Sequence, residues 1–375
     1  MIKENSRTKQ ISYMFLAVAA LLPAADIAAT ELVAEVNIQT QANSNIFLDN
    51  TSEFDWILRP SIEMGLDFGS YYSVGYRGLL SAYTDHKELL AHWHELYFFI
   101  NPAWGDNGEN ELVVELSLET LRNQADYAAL NLIQPTVLAK LVIEPKSWFR
   151  YQLSVKSNLR LFYDDDKQSD SIDAWVSGAA TFTLPSRTTI SPRIAYGYRH
   201  YLRGGAQQIM DKRDQQLEFG LHLSQAIWAR AGLQFDYTYL LAFDDSGIIS
   251  RYFNQPQTEA QFAYLGQEFL YSGHRAEIGL KQLFGKSVTG GVSVGFEKVV
   301  YAGWLSGHET DEDRADTRYV PRAYLSFSWW AGDDQVACVP DINLSVEYRF
   351  VRQVSNSDIY DTSAHIVGLA LLGLW

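Results

Sequence analysis

The sequence predicts an all-β fold, a transmembrane antiparallel up-and-down β-barrel of about sixteen strands, with fourteen or eighteen as the neighbouring solutions. Three observations carry that prediction. The first is Phe54 to Gly69, where Phe54, Trp56, Leu58, Pro60, Ile62, Met64, Leu66 and Phe68 alternate with Asp55, Ile57, Arg59, Ser61, Glu63, Gly65 and Asp67. Alternation with period two is a strand whose faces meet different media. It runs well past the five or six residues of an ordinary strand and past the 9–11 that cross hydrocarbon. Pro60 removes one ladder donor and predicts a local irregularity. The second observation is that 47% of the chain is hydrophobic while mean hydropathy is only −0.15. No apolar block long enough for a membrane helix follows the N-terminus, so the apolar residues are spread by alternation, as in membrane barrels. The third is that short turns alternate with longer polar connections. Soluble sandwiches and propellers also alternate, but their strands are shorter.

Residues 1–29 read as a cleavable signal peptide, and residues 30–375 as one barrel domain. Lys3, Arg7 and Lys9 precede an apolar run from Ile11 to Leu22, and small residues ending in Ala28 and Ala29 offer a cleavage site. Cleavage there leaves 27 basic and 43 acidic residues, a balance that argues against nucleic-acid binding. The one cysteine, Cys338, has no internal partner for a disulfide, which suits an exported barrel better than a small stapled domain.

The predicted strands follow in order. Leu32 to Thr40 is the first, and the polar stretch Asn43 to Glu53 leads into the second. Tyr72 to Thr84, His92 to Asn101 (blurred alternation), Leu112 to Leu121 and Ile133 to Glu144 come next. The seventh, Phe149 to Tyr163, alternates as cleanly as the second and ends in the acidic tract Asp164 to Asp173, read as a solvated loop. Ala174 to Leu184, Thr188 to Tyr201, Gln215 to Leu223 and Ala229 to Leu241 follow. Ala242 to Ala260 reads as loop, and Glu259 to Phe284 as one long strand. Val288 to Val300, Tyr319 to Ala331, Ile342 to Arg352 and Thr362 to Trp375 complete the set. Short turns near Ser70, Pro145, Pro185, Ala226 and Lys286 define one end, where the even count also places both termini. The ten Trp fall near strand ends, as interfacial girdles require, although Trp148, Trp175 and Trp330 have lumen-facing parity.

The last eleven residues, HIVGLALLGLW, resemble the closing strand of bacterial outer-membrane β-barrels, which ends on an aromatic residue. In that group the terminal residue and the alternate hydrophobics before it, here Leu371, Leu369 and Val367, are read by the barrel-insertion machinery. Trp375 stands where Phe is commoner, and Gly373 takes one alternate position. Asn43-Ser44-Asn45-Ile46-Phe47, with Phe54-Asp55 and Leu58-Arg59-Pro60, resembles the start of a porin-like family, some of whose members are linked to exopolysaccharide loci. The resemblance implies a Gram-negative outer membrane, with lipid, lipopolysaccharide and the insertion machinery as partners and a homo-oligomer as an option. It names no solute.

The motifs are weighed in turn. Gly291-Val292-Ser293-Val294-Gly295 fits the G-x-S-x-G of hydrolases but sits inside alternation with no helix after it, where a nucleophile elbow needs one. His86, Glu88, His92, His94 and Glu95 hold metal-type ligands at a loop edge, without the spacing that makes a site. Asp164 to Asp166 and Asp311 to Asp313 lack the glycine spacing of a calcium loop. No catalytic residue, cofactor or metal is therefore expected. The expected site is the inward row: Asp55, Arg59, Glu63, Glu115, Glu119, Arg150, Lys156, Arg160, Arg193, Glu277, Lys281, Glu347 and Arg349, with Arg199 and Glu218 beside them. Acids gather on the second and fifth strands and bases on the seventh and ninth. They either line a wet channel or pair into a structural network. The expected function is passive diffusion of small hydrophilic solutes. The alternatives are a barrel serving polysaccharide or other export, or a purely structural outer-membrane protein.

Overall fold

The computed structural model describes residues 30–49, 51–69, 71–105, 108–163, 170–202, 213–243, 271–301, 304–305, 308–309, 313–329 and 341–374. Sixteen long strands form one antiparallel sheet: β1 (Thr30–Asn43), β2 (Asp55–Phe68), β3 (Tyr72–Tyr83), β4 (Ala91–Ile100), β5 (Asn110–Asn123), β6 (Leu132–Lys146), β7 (Phe149–Phe162) and β8 (Ser171–Thr183), then β9 (Thr188–Tyr201), β10 (Arg213–Trp228), β11 (Ala231–Ala242), β12 (Ser272–Phe284), β13 (Val288–Tyr301), β14 (Arg314–Trp329), β15 (Asp341–Ser355) and β16 (Thr362–Leu374). Each pairs with its sequence neighbours, and β1 also pairs with β16, from Glu35 opposite Leu374 to Asn43 opposite Ile366. The sheet is therefore closed. Ala103–Trp104 pairs with the start of β5 after β4 ends, and Trp304–Leu305 with His308–Glu309 forms a separate two-stranded hairpin.

All sixteen predicted strands have a counterpart. β12 begins at Ser272, and the part of its predicted span from 259 to 270 lies outside the described residues, as do residues 1–29, Cys338 and Trp375. The connections at one end are short at 69–71, 147–148, 184–187, 229–230 and 285–287. Gly69 and Gly285 take the positive φ values (64° and 75°) that such tight reversals use. The same end also carries the longer connections 101–109 and 330–340; the opposite end carries 44–54, 124–131 and the longest, 243–271, and is the outer end in barrels with short periplasmic turns.

The two rows face as the alternation demands. Leu58, Ile62, Met64 and Leu66 of β2 are 38–46% exposed on the outside, as are Val367, Leu369 and Leu371 of β16 at 43–48%. In an aqueous reference those residues would be misplaced; against acyl chains they are where burial is most favourable. Pro60, Pro135, Pro192 and Pro321 all stand on this outward row, and at each the pairing with one neighbouring strand pauses and then resumes in the same register. That is the irregularity expected of Pro60, and it costs one ladder bond without breaking closure. The blurring of β4 also has a cause: Trp93, Tyr97 and Phe99 share the inward face of Glu95, so this strand is apolar on both sides. Trp93 is thus inward, not part of an outer girdle.

Basic side chains interrupt the outward row only near strand ends. Arg122, Arg213, Lys298 and Arg352, with His92, His94, His200, His274 and His365, all lie within four residues of the outer end of their strands. Lys146, past a bulge at the end of β6, is the outward base at the inner end. No Asp or Glu occupies the outward row of any described strand.

The first part of the polar stretch Asn43 to Glu53 is packed, while residues 51–54 are exposed. Ile46 and Phe47 are buried in a cluster with Ile57, Tyr83, Leu89, Tyr127 and Leu130, which joins three outer connections over one side of the mouth. Asn45, also buried, donates to the Asp49 carbonyl (2.6 Å) and holds Thr362 of β16, tying this cap to the closing strand. A charge placed at the lipid-facing mid-strand position of the closing strand tests the outward assignment. Leu369→Arg should lower stability by about 2–4 kcal/mol in urea titrations of the vesicle-folded protein, and the inward Ala370→Arg by much less.

Candidate functional site: the inner wall of the barrel

Inward parity is fixed by register. It places Arg59 and Glu63 of β2, Glu115 and Glu119 of β5, Arg150, Lys156 and Arg160 of β7, Arg193 of β9, Glu277 and Lys281 of β12, and Glu347 and Arg349 of β15 on the interior face, along with Arg199 and Glu218. What the sequence could not give is their grouping.

Two of the expected wall residues are structural. Asp55 has inward parity but is completely buried, and its carboxylate accepts from the backbone N–H of Thr84, Asp85 and His86 and from the Thr84 hydroxyl at 2.6–3.2 Å. It anchors the cap instead of facing the lumen. Arg160 is 5% exposed and sits 3.8 Å from Asp173, which also takes two 2.7 Å bonds from Arg199. Asp173 was expected in a solvated acidic loop. The structure puts it at the start of β8 and buries it with Asp170 and Ser171, because two inward guanidiniums flank that position on β7 and β9. Residues 164–166, 311 and 312 lie outside the described residues.

The rest of the wall includes a series of ion pairs. Arg77, which the sequence reading passed over, bridges Glu63 (2.9 Å) and Glu95 (3.1 Å) and lies 4.3 Å over the Tyr97 ring. Its position on β3 opposite Glu63 and Glu95 was readable only once the hairpin registers were known. Glu119 accepts from Trp93 and Gln134. Arg193 pairs with Glu218, Arg275 with Glu297 (2.6 Å) and Arg322 with Glu347 (2.7 Å). Lys156 lies across β6 from Glu115 and acts on it electrostatically.

Around the circumference the charge is uneven. β1 to β5 present Glu31, Glu35, Glu63, Asp67, Glu95, Glu111, Glu115 and Glu119 against Arg59 and Arg77. β6 to β9 present Lys140, Arg150, Lys156, Arg160, Arg193 and Arg199 against Glu144 and Asp173. A third group was not foreseen: Arg314, Arg318 and Arg322 of β14 beside Arg349 of β15, with Asp316 bonded to Arg314 and Glu347 to Arg322, a sector with more bases than these acids. Two open recesses meet at Arg349. One, of about 190 Å³, is lined by Gln39, Gln41, Arg59 and Glu347; the other, of about 310 Å³, by Asp236, Arg275, Glu277, Glu297 and Arg318. Such a wall can hold water and order charged or polar solutes by field.

The other candidate motifs are dispersed or inert. His92 and His94 face outward, Glu95 faces inward, and His86 bonds Asp55 and Glu53, so no three of these groups converge. Among the described residues no cluster of three metal-type ligands occurs. Ser293 sits in mid-β13 opposite Gly279 and Arg322, without a turn or helix after it.

Two outcomes follow. Asp173→Asn removes the carboxylate that two buried guanidiniums share and should cost about 3–5 kcal/mol in denaturant titrations, with Asp173→Glu recovering part of the loss. The second concerns the cap. Burial disfavours the His86 imidazolium, but hydrogen bonds and charges from Asp55 and Glu53 outweigh it and raise its pKa above the usual histidine value. The protonated form is therefore favoured by folding, and its contribution is complete below about pH 6.5 and fades as pH rises through the folded value. Hydrogen-exchange protection of the Thr84 to His86 amides, corrected for intrinsic rate, should fall over that interval, and His86→Gln should flatten the profile.

No family model and no curated protein matches the chain. Solved structures do. OccAB1 of Acinetobacter baumannii is 9% identical with a TM-score of 0.53, covering 92% of this chain and 96% of that one. OpdK of Pseudomonas aeruginosa, solved with vanillate, is 8% identical with a TM-score of 0.51, covering 92% and 98%. A bacterial polysaccharide outer membrane secretin is 10% identical with a TM-score of 0.50, covering 91% and 97%. Likeness at such identities is likeness of fold, and the fold they share with this chain is the closed, porin-like β-barrel of outer-membrane proteins.

Proposed function

We propose that the protein is an outer-membrane channel through which small hydrophilic solutes diffuse passively, and that residues 1–29 are the signal peptide that exports it. The observation that carries this reading is the inner wall: sixteen closed strands whose inward row holds charged and polar side chains around open recesses, beneath an outward row of hydrocarbon. Barrels of 16–18 strands enclose more width than side chains fill and hold aqueous channels. The acidic sector on β1 to β5 and the basic sectors on β6 to β9 and β14 would impose a transverse field on solutes that pass. Neither enzymatic chemistry nor a cofactor or metal belongs to this reading. The likeness to a polysaccharide secretin favours one second reading, a conduit for export, which would need a periplasmic partner.

Single-channel recording on the refolded protein in planar bilayers decides between them. Stable openings of the protein alone support diffusion. A folded, heat-modifiable barrel that never opens alone, but co-purifies with a periplasmic component, supports export. If the wall sets selectivity, Lys156→Glu should shift the zero-current potential in a salt gradient toward cation selectivity, and Glu115→Lys should shift it the other way.

A further inference from the structure

The outer end of β4 carries two histidines on one face. His92 and His94 are its second and fourth residues, and both point outward, away from the lumen. Residues two apart on a strand share a face, so their imidazoles meet there. The His92 Nδ1 lies 2.9 Å from the His94 Nε2, with the ring centroids 5.0 Å apart. A metal ion bound to two imidazoles at about 2.0–2.1 Å, with the two at a right angle, sets their nitrogens about 2.9 Å apart. Tetrahedral coordination would need about 3.3 Å.

The surroundings hold one of these rings in place. The Tyr76 hydroxyl lies 2.6 Å from the His94 Nδ1. Tyr76 reaches it by lying over Gly78, which stands directly opposite His94 on β3; a Cβ at that glycine would come within 2.5 Å of the Tyr76 oxygen. With the His94 Nδ1–H donated to Tyr76, the Nε2 lone pair is turned toward His92. His92 is exposed, so its own proton can stand on Nε2 and leave the Nδ1 lone pair for a metal, with no net proton lost. Arg122, opposite His92 on β5, leans across β6 to the Tyr163 hydroxyl at 2.9 Å, away from β4. The tyrosine contact recurs at His274 with Tyr237 (2.8 Å) and at His365 with Tyr348 (2.9 Å), but among the described residues neither of these histidines is bonded to a second imidazole.

We propose that His92 and His94 form a binding site for a divalent transition-metal ion that favours square-planar or tetragonal coordination, copper(II) before nickel(II). Tyr76 is a positioning residue for His94, and water fills the remaining coordination positions. The site lies outside the lumen and does not depend on the channel reading.

The test uses the full chain refolded in detergent, prepared without a histidine tag and stripped with a chelator, and titrates it with copper(II), nickel(II) or zinc(II) chloride. Calorimetry should show a copper(II) site that binds nickel(II) and zinc(II) more weakly, and electron spin-echo modulation should show a pair of coupled imidazoles. His92→Gln and His94→Gln should each abolish that signal, and Tyr76→Phe should weaken copper(II) about tenfold by freeing the His94 ring. His86→Gln and His222→Gln, at histidines bonded to carboxylates, should leave it unchanged. Copper(II) binding that survives the double variant His92→Gln with His94→Gln overturns the proposal, as does binding lost in His222→Gln instead. No copper(II) binding by the wild-type chain overturns it too, and leaves the pair an ordinary hydrogen bond between histidines. The spin-echo measurement needs only the wild-type chain, so the proposal stays testable if a variant fails to fold.

Discussion

Everything in this molecule depends on the seam between β1 and β16. A backbone N–H or C=O facing hydrocarbon without a partner costs several kcal/mol, so a sheet that crosses a bilayer has no place for a free edge. The seam runs over nine register pairs, and Asn45 and Thr362 bind its outer end a second time through the cap. Even the prolines respect the constraint. Each of the four on the outward row interrupts pairing on one side and keeps it on the other, so closure survives.

Closure also decides where charge can go. With the outside committed to acyl chains along most of each strand, nearly every ionisable residue of the strands is driven inward or to a rim. The inner wall answers in two ways. Near the outer rim, Asp173, Arg160 and Arg199 are dry and paired with one another, and so belong to the framework. Lower down, partly exposed pairs such as Arg322 with Glu347 leave the wall wet and its sectors unequal in sign. A single interior thus contains both a structural network and a surface that can act on a solute, and the difference is depth of burial.

The outer rim shows the same economy. The cap packs Ile46 and Phe47 inward and uses Asp55 to gather three backbone amides, so a loop becomes part of the fold.

The sequence by itself determined the all-β class and most strands with their facing, and pointed to sixteen strands while leaving fourteen or eighteen open. Period two is a local property, and Trp56, Leu58 and Glu63 declare their sides without reference to any distant residue. It could not determine which charges meet. Arg77 with Glu63 and Glu95, and Asp173 between Arg160 and Arg199, depend on the register of separate hairpins, which alternation leaves free to slide by two residues without changing a face. Nor could it reveal the cap, since Ile46, Phe47, Leu89 and Tyr127 come from three connections with no common period. Tertiary structure decided these, because only closing the cylinder brings residue 45 against residue 362 and gives each inward charge its neighbours.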